Sequence, residues 1–405
     1  MLNEALTPRE QRGLLLAATA RITQRKWKFD VPSATNSGQT YLVVHVAGQF
    51  LCSCPDYELR NEPCKHCYAV QYFLKRETAP DGTVTETRSV RVTYPQQWAA
   101  YNRAQVTEKD AFCTLLRDLV ADVPSPEQKR GRPALPLSDM LFSAAYKVYS
   151  TVSGRRFMTD LRDATAKGLI DRTPHYNSIF NVLDNEATTP ILKSLITRSA
   201  LPLKALETDF AVDSTGFGTQ NFYRHYSAKY GRDQVRRAFV QLHAMVGCRT
   251  NVVTAAEATV GPSGDATTMP VLVAETTPHF NVEQVAPDKA YGSLTNLELL
   301  DGQGIKAMIP FKKNSTAASK NVGRSEVWAR LFHFFSLHRD EFLASYHTRS
   351  NVESTFSAIK RKFSDQVRSR TPTAQINETL LKVLCHNIVC VVHEMNESGA
   401  IAASP

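Results

Sequence analysis

Four of the eight cysteines in this 405-residue chain fall within sixteen positions, and this cluster constrains the fold of the N-terminal region. Cys52-Ser-Cys54 is followed, after nine residues, by Cys64-Lys-His66. Three thiolates and an imidazole at this spacing are a suitable donor set for a tetrahedral zinc ion. Cys67 forms a competing Cys-x-x-Cys pair with Cys64, so the fourth ligand is either His66 or Cys67. The cluster predicts a metal-stabilised module in a reducing compartment.

The residues around the cluster predict a β-hairpin followed by a helix. Strand-like runs cover residues 41–46 and 49–51, and an apolar helical pattern covers residues 68–74. Over residues 40–78 this arrangement resembles the SWIM zinc finger, whose first ligand pair ends a hairpin and whose second begins a helix. The resemblance favours His66 as the fourth ligand and implies a structural zinc ion, because protein atoms fill every position. The predicted zinc ligands are Cys52, Cys54, Cys64 and His66.

The composition favours a soluble, folded protein with a polyanionic partner. The formal charge of +9 and the pI near 9.1 favour partners such as nucleic acid. Hydrophobic residues make up 42% of the chain, which is ample for at least one sizeable core. No stretch approaches the roughly 20 apolar residues that span a bilayer, and no signal-like run opens the chain. We therefore expect neither secretion nor a membrane anchor.

The pattern of apolar and polar residues divides the chain into four regions. The zinc module is predicted over residues 1–80, and a linker with one amphipathic helix and a basic segment over residues 81–136. Residues 137–203 lack strand alternation and predict a helical, DNA-binding region. Short strand-like runs mix with helices over residues 204–395, which predicts an α/β domain.

Three basic or helical segments outside the α/β pattern predict DNA contacts, each with an ordinary alternative. Arg130 and Arg132 belong to an Arg-Gly-Arg-Pro run that resembles the core of an AT-hook, or they lie in a flexible basic linker. Residues 176–183 form either a helix that reads the major groove or a buried bundle helix. Residues 223–237 interleave basic and aromatic side chains, as a DNA-lining loop or a solvated surface would.

Two aspartates follow apolar, strand-like segments in the α/β region. Asp213 ends the run Phe-Ala-Val-Asp, and Asp288 follows Val-Ala-Pro in a later run. Cleavage of DNA by two divalent ions requires a few carboxylates from distant segments on rigid elements. An aspartate at a strand end is otherwise an ordinary turn or capping residue, so neither position alone identifies a site.

A third acidic residue lies in a segment with a distinctive spacing. Tyr346, Arg349 and Lys360 stand at offsets −7, −4 and +7 from Glu353. On a continuous helix these four residues share one face, and an adjacent apolar stripe would pack the helix on a sheet. Ser350 and Glu353 alternatively form a capping box, in which Glu353 only closes the helix start.

Together, the three acidic segments resemble those of DDE transposases from bacterial and archaeal insertion sequences that carry a Tyr-(2)-Arg-(3)-Glu-(6)-Lys signature. The resemblance covers residues 205–395 and implies an RNase H-like fold with a mixed sheet. It implies that Asp213, Asp288 and Glu353 are catalytic residues that hold two Mg²⁺ or Mn²⁺ ions. The interval between Asp288 and Glu353 lacks the β-rich insertion of some relatives, which leaves open whether excision proceeds through a DNA hairpin.

The resemblance also implies the partners of the protein. Arg349 and Lys360 would hold DNA phosphates, Tyr346 would support the backbone near the cut, and the adjacent Arg361 and Lys362 would contact DNA. Double-stranded DNA, as transposon ends and target, is the expected partner, bound by a homo-oligomer. We expect a cytoplasmic, nucleoid-associated protein that cleaves transposon ends and transfers strands. The alternatives are a non-catalytic DNA-binding regulator derived from a transposase and an RNase H-like nuclease.

Overall fold

The computed structural model separates the chain into two compact units, residues 1–95 and 96–405. The residues that it describes are 7–33, 39–46, 49–78, 84–88, 98–127, 133–219, 239–312, 315 and 325–398. Arg130, Arg132 and the basic and aromatic segment at residues 223–237 were predicted to contact DNA, and all of these positions lie outside the described residues. No helix in the described part of the chain is both long enough and apolar enough to cross a membrane.

The first unit consists of a four-stranded antiparallel sheet with helices and a second hairpin. Its elements are α1 (Pro8–Thr19), β1 (Thr23–Arg25), β2 (Lys28–Pro32), β3 (Thr40–Val46), β4 (Gln49–Cys52), α2 (Pro55–Arg60), α3 (Lys65–Phe73), β5 (Leu74–Thr78) and β6 (Val84–Arg88). The sheet order is β1-β2-β3-β4, and β5 pairs with β6. The β5–β6 hairpin falls where the sequence predicts the end of a helix and a polar linker.

Helices α1 and α3 pack closely in this unit. A Cβ at Gly13 of α1 would lie 2.5 Å from the Cβ of Tyr68 on α3, so a larger residue would force the two helices apart. Thr7 and Glu10 form a capping box that fixes the start of α1. The buried side of the sheet, which includes Phe29 and Val43, joins the two helices in one small core.

The second unit is a mixed α/β structure. Its elements before the sheet are α4 (Trp98–Val120), α5 (Leu137–Ser150), α6 (Gly154–Ala166), α7 (Tyr176–Leu183) and α8 (Thr188–Ala200). The sheet and the elements between its strands are β7 (Asp209–Gly218), β8 (Phe239–Gly247), β9 (Val253–Val260), α9 (Asp265–Thr276), β10 (Gln284–Pro287), α10 (Leu294–Gly302) and β11 (Lys306–Ala307). The chain continues with α11 (Glu326–Leu337), α12 (Arg339–Tyr346), α13 (Ser350–Phe363) and α14 (Pro372–Glu397).

The sheet has the order β11-β10-β7-β8-β9. Strand β10 pairs in parallel with both β7 and β11, whereas β8 is antiparallel to β7 and β9. This mixed sheet, preceded by a small zinc-type module and a helical region, confirms the predicted fold class. Strand β7 is buried on both faces, as its run of Phe210, Ala211 and Val212 indicates.

Two hydrophobic cores cover the two faces of the sheet. One face packs against helices α4 to α8, α13 and α14, and the other packs against α9 and α10. Helix α14 is fastened to the edge strand β9 by Asn387, whose side chain accepts from the N–H of Val253 at 2.8 Å and donates to its carbonyl at 2.7 Å. These bonds satisfy backbone groups of the edge strand that have no neighbouring strand to pair with.

Helix α4 is longer than the helix predicted near residues 108–121. It begins at Trp98, and its buried residues Phe112, Leu116 and Val120 belong to the same core as the sheet. The helices at residues 137–203 share that core too. The region that the sequence pattern separates into linker, helical region and α/β domain is therefore packed as one unit beyond residue 96.

Candidate active site and zinc site

The cysteine cluster forms one small site in the first unit. Strand β4 ends at Cys52, helix α2 begins after Cys54, and helix α3 begins after Cys64. One ligand atom from each of Cys52, Cys54, Cys64 and His66 lies within 4.8 Å of every other, and all four residues are buried. Across the described ranges, no other group of three or more Cys, His, Asp or Glu side chains converges in this way.

The distances in this group fit a zinc tetrahedron. The Nδ1 of His66 lies 3.6 Å from the Cys64 Sγ and 3.8 Å from the Cys52 Sγ. Zinc bonds of ~2.3 Å to sulfur and ~2.05 Å to nitrogen give a nitrogen–sulfur edge of about 3.6 Å. The Cys67 thiol lies 3.7 Å from the Cys64 Sγ but donates to the carbonyl of Phe50 at 3.4 Å. The geometry therefore favours His66 over Cys67 as the fourth ligand.

Two parallel strands bring the predicted aspartates to the same edge of the sheet in the second unit. In the register of β7 and β10, Val212 pairs with Pro287, so Asp213 and Asp288 follow at equivalent positions. Asp288 comes directly after the end of β10, but Asp213 lies within β7, so the expectation that Asp213 ends its strand is wrong. Antiparallel pairing with β8 extends β7 as far as Gly218. The Asp288 N–H donates to the Val212 carbonyl at 3.2 Å, which continues the ladder by one bond. The side chain of Asp288 accepts from the Lys289 N–H at 2.8 Å and caps a short 3₁₀ turn.

Helix α13 carries Glu353 and packs on β7 as its apolar stripe predicts. The buried stripe consists of Val352, Phe356, Ile359 and Phe363. The capping-box interpretation of Glu353 is wrong, because Ser350 lies inside the helix and donates its hydroxyl to the His347 carbonyl at 2.9 Å. Glu353 instead turns its carboxylate to Arg349, and its side chain is 60% exposed.

Arg349 joins two of the three carboxylates. Its guanidinium donates to Asp213 at 2.7 Å and to Glu353 at 2.8 Å. The ring of Tyr346 lies 5.7 Å from the Arg349 Cζ, in cation–π contact. Lys360 donates to the Thr215 hydroxyl at 2.6 Å, two residues beyond Asp213 on the same strand. Arg349 and Lys360 thus contact the middle of β7, and Tyr346 and Glu353 both lie against Arg349.

Burial and neighbouring charges shift the pKa values of several side chains at this site. Burial raises the pKa of Asp213, and the neighbouring charges of Asp288 and Glu353 raise it further. A hydrogen bond from the Ser214 N–H and the charge of Arg349 act in the opposite direction. Burial also raises the pKa of the Tyr346 phenol and lowers that of the Lys360 ammonium. Charged groups are therefore held partly desolvated at this edge of the sheet.

The three carboxylates do not form a compact ligand group among themselves, since within the described residues that geometry is found only at the cysteine cluster. A cavity of about 550 Å³ opens beside two of them and is lined by Asp213, Thr215, Glu353, Lys360 and Arg361 among others, whereas Asp288 does not line it. It is a shallow groove along α13 and the middle of β7. A groove of this kind leaves room for a strand of nucleic acid beside Glu353.

The three basic residues at the end of α13 lie in different surroundings. Lys360 and Arg361 line the groove, and Arg361 donates to the Ser357 hydroxyl at 2.8 Å. Lys362 instead forms an ion pair with Glu108 of α4 at 2.6 Å. Glu108 also accepts from the Tyr149 hydroxyl at 2.6 Å. The structure therefore separates Lys362 from the residues that face the groove.

The sequence analysis missed a polar network on the opposite face of the sheet. The buried His243 contacts the Tyr291 hydroxyl at 2.9 Å and the Ser263 hydroxyl at 2.7 Å. Ser214, next to Asp213, donates to Asp265 at 3.2 Å in the same network. Tyr291 belongs to the Asp-Lys-Ala-Tyr-Gly run, which is the one sequence signal for this cluster. The network anchors the loop that follows Asp288.

These features define an α/β domain in which aspartates on two neighbouring parallel strands lie near a helix that carries a glutamate and basic side chains. Residues 204–388 match the family model described as "Transposase DDE domain". Residues 51–74 match the family model described as "SWIM zinc finger". No curated protein matches the chain.

The two matches define the kind of protein at a coarse level. The DDE domain supports an enzyme of the nuclease or transposase kind, and it implies DNA binding and a divalent metal ion. The SWIM match and the group of three cysteines and a histidine together support a structural zinc ion.

Proposed function

We propose that the chain is a DNA transposase of the insertion-sequence class with the Tyr-Arg-Glu-Lys signature, which cleaves transposon ends and transfers the strands into target DNA. The observation that carries this proposal is the arrangement around β7. Asp213 lies within β7 beside Asp288, which follows the end of the parallel strand β10, and Arg349 connects Asp213 to Glu353 on the facing helix. Joining of the strands and the identity of the catalytic residues are parts of the proposal.

The donor set fits hard divalent cations. Asp213, Asp288 and Glu353 offer carboxylate oxygens, the ligand type that Mg²⁺ and Mn²⁺ prefer. The guanidinium of Arg349 already supplies positive charge between Asp213 and Glu353. Two such ions, when bound, supply charge stabilisation at the scissile phosphate and a lowered pKa of the attacking water. The side chain of Asp213 is 19% exposed, against 60% for that of Glu353, so Asp213 depends more on a cation nearby.

The basic side chains of the groove grip and orient the DNA. Arg349 is proposed to move from the carboxylates to a DNA phosphate, for which its planar fork is well suited. Lys360 and Arg361 hold further phosphates along the groove. The half-buried Tyr346 packs beside Arg349 and supports the strand near the cut. None of these steps requires a covalent bond between protein and DNA.

The zinc module is proposed to hold one structural zinc ion through Cys52, Cys54, Cys64 and His66. Protein atoms fill all four positions, which leaves none for a substrate. A side-chain hydrogen bond with Cys52 lowers the pKa of the Cys64 thiol, which favours the thiolate that a metal requires.

The active form is proposed to be a homo-oligomer assembled on DNA, located in the cytoplasm with the nucleoid. A two-ended element needs both ends cut in one assembly, and the excess of basic residues favours retention on DNA. We propose that DNA is recognised by the helical region of residues 137–203 and by the zinc module, in addition to the catalytic region of residues 204–395.

One experiment separates this function from its alternatives. The purified full chain is incubated with Mg²⁺ and the DNA that flanks its gene, and products are resolved on a denaturing gel. Cleavage with joining supports a transposase, and cleavage without joining indicates a nuclease. Binding without cutting indicates a non-catalytic regulator and would refute the catalytic proposal. The Glu353→Gln variant is the matched control for contaminating nucleases.

A further inference from the structure

A second cavity in the larger unit lies apart from the groove at Glu353. Its volume is about 520 Å³, within the range of pockets that bind small ligands. It is enclosed by the end of α5, the start of α6, helix α7 and the segment of residues 364–371 that leads into α14. We call it the Lys147 cavity after the buried cation on its wall.

Three cations on the Lys147 cavity have no partner among the described residues. Lys147 is only 6% exposed, and no hydrogen bond or ion pair with the described part of the chain compensates its ammonium group. Arg368 and Arg370 also line the cavity, and their exposed guanidinium groups are unpaired within that part of the chain. Burial lowers the pKa of Lys147, and the charge of Glu378 only partly opposes this, so the retention of a lysine in the cavity wall points to an anionic ligand.

The two acidic residues on the cavity are already engaged. Glu378 accepts hydrogen bonds from the N–H groups of Arg368 and Ser369 at 3.0 and 2.8 Å, and one from the Ser369 hydroxyl at 2.7 Å. Asp184 accepts from the Thr371 hydroxyl. These bonds hold the segment of residues 364–371 against α7 and α14. The carboxylates therefore shape the cavity, whereas the cations remain available.

A helix terminus and an aromatic ring also line the cavity. Helix α6 begins at the cavity, and its N-cap residue Ser153 makes no capping hydrogen bond with its side chain. Such a terminus presents free N–H groups that favour a phosphate. Phe180 is 40% exposed, and its ring lies against Gly154, where a Cβ would be only 2.8 Å from it. The glycine thus leaves room for the tip of an exposed ring at the cavity.

We infer that the Lys147 cavity receives one nucleotide of the bound DNA, with a phosphate at Lys147 and the start of α6 and the base against Phe180. This inference rests on the proposed function, because it requires that the protein binds DNA. Phosphate and aromatic base are the chemistry that cations, a helix N-terminus and an exposed phenyl ring recognise together.

The connection to the candidate active site favours DNA over a free nucleotide. The segment of residues 364–371 continues directly from α13, and Asp365 lines the groove at Glu353 while Arg368 lines the Lys147 cavity. Gln366 pairs with Gly218 at the end of the strand that carries Asp213. A DNA strand held in the groove is therefore close to the mouth of the second cavity.

The test uses Lys147→Met in the full chain, with Lys167→Met as the matched control. Met keeps the length of the side chain without the charge, and Lys167 is an exposed lysine just after α6 that pairs with Asp110. We expect Lys147→Met to bind single-stranded and duplex DNA roughly ten- to a hundredfold more weakly, as loss of a charge-assisted hydrogen bond implies. At the same time its melting temperature should rise, because a buried charge without a partner is removed. A lysine with a purely structural role would lower the melting temperature instead.

Two further measurements identify the ligand. Ultraviolet irradiation of the protein with 5-iodouracil-substituted DNA should crosslink the peptide that contains Phe180, as read by mass spectrometry. Inorganic phosphate and dAMP should each raise the melting temperature of the wild type but not of Lys147→Met. Unchanged DNA affinity in Lys147→Met, or stabilisation by dAMP without any loss of DNA binding in the variant, would overturn the assignment to DNA.

The experiments distinguish failure of the cavity proposal from failure of the transposase proposal. A wild-type protein that binds DNA through Lys147 but never cuts it contradicts the transposase proposal and supports the cavity. A wild-type protein that cuts and joins DNA, with Lys147→Met binding as tightly as the wild type, supports the transposase proposal and overturns the cavity.

Discussion

The guanidinium of Arg349 lies 2.7 Å from the carboxylate of Asp213, so the residue just before helix α13 is tied to the central strand of the sheet. The second arm of the same guanidinium reaches Glu353 at 2.8 Å. Asp213 is largely buried, and its charged form therefore depends on a nearby cation. Arg349 supplies that cation, which links the geometry of the groove to its electrostatics and to the behaviour of variants at these positions.

Glu353→Gln should retain DNA binding and lose cutting. Gln keeps the shape and a hydrogen bond to Arg349 but not the charge that a divalent ion requires. We expect the cleavage rate to fall by more than about a hundredfold, as for removal of other electrostatic groups at active sites. Cleavage on a labelled duplex and affinity by fluorescence anisotropy are measured together. The control is Glu341→Gln on α12, and residual cutting by Glu353→Gln at the wild-type rate would contradict the assignment.

Lys360→Met should weaken DNA binding and flatten its dependence on salt. Removing one interaction with a phosphate reduces the slope of log K against log salt by about 0.9 for duplex DNA. Lys360 lines the groove, and only the Thr215 hydroxyl bonds to it among the described residues. Anisotropy titrations over a range of salt concentrations give the slope. Lys362→Met is an informative comparison, since its ion pair with Glu108 predicts a loss of stability without a change of slope.

Asp213→Asn should stabilise the metal-free protein at neutral pH while abolishing cutting. The pKa of Asp213 is raised by burial, so the folded state binds its proton more tightly than the unfolded state does. The stabilising contribution of the protonated group is full below the unfolded pKa and is lost as pH rises through the raised, folded pKa. Asn is neutral at every pH and avoids that loss.

The corresponding measurement is the melting temperature of wild type and Asp213→Asn between pH 3 and 8, the range that brackets an ordinary and a raised aspartate pKa. The gain in the variant should be present at neutral pH and shrink as the pH falls. Asp122→Asn, at an exposed position, should show no such trend. A variant that is less stable than wild type at pH 7 would show that the Arg349 ion pair outweighs the desolvation of Asp213.

Removal of zinc should unfold the first unit alone. A strong chelator should make residues of the first unit sensitive to protease while the second unit stays resistant, because the ligands all belong to the first unit. Metal content by mass spectrometry should fall in His66→Ala and remain near one zinc per chain in Cys67→Ser. If His66→Ala retained zinc and Cys67→Ser lost it, the fourth ligand would be Cys67 and not His66.

Local sequence patterns predicted the parts of the molecule that depend on short-range physics. The cysteine spacing indicated the hairpin and helix around the metal site, and the apolar stripe of α13 predicted which side of that helix is buried. The mixed sheet followed from the resemblance of three acidic segments. Helix α4 was predicted only from about residue 108, whereas its first ten residues are helical too and contact α14 through Tyr101 and Arg103.

The sequence by itself determined the donor types, their spacing and the period of each helix and strand, because these are set by covalent order and local geometry. Only the tertiary structure decided which side chains meet. It paired Arg349 with Asp213 across 136 positions, sent Lys362 to Glu108, and left Lys147 in a cavity wall without a partner among the described residues. Such contacts depend on the packing of distant elements, which a pattern with a period of a few residues does not encode.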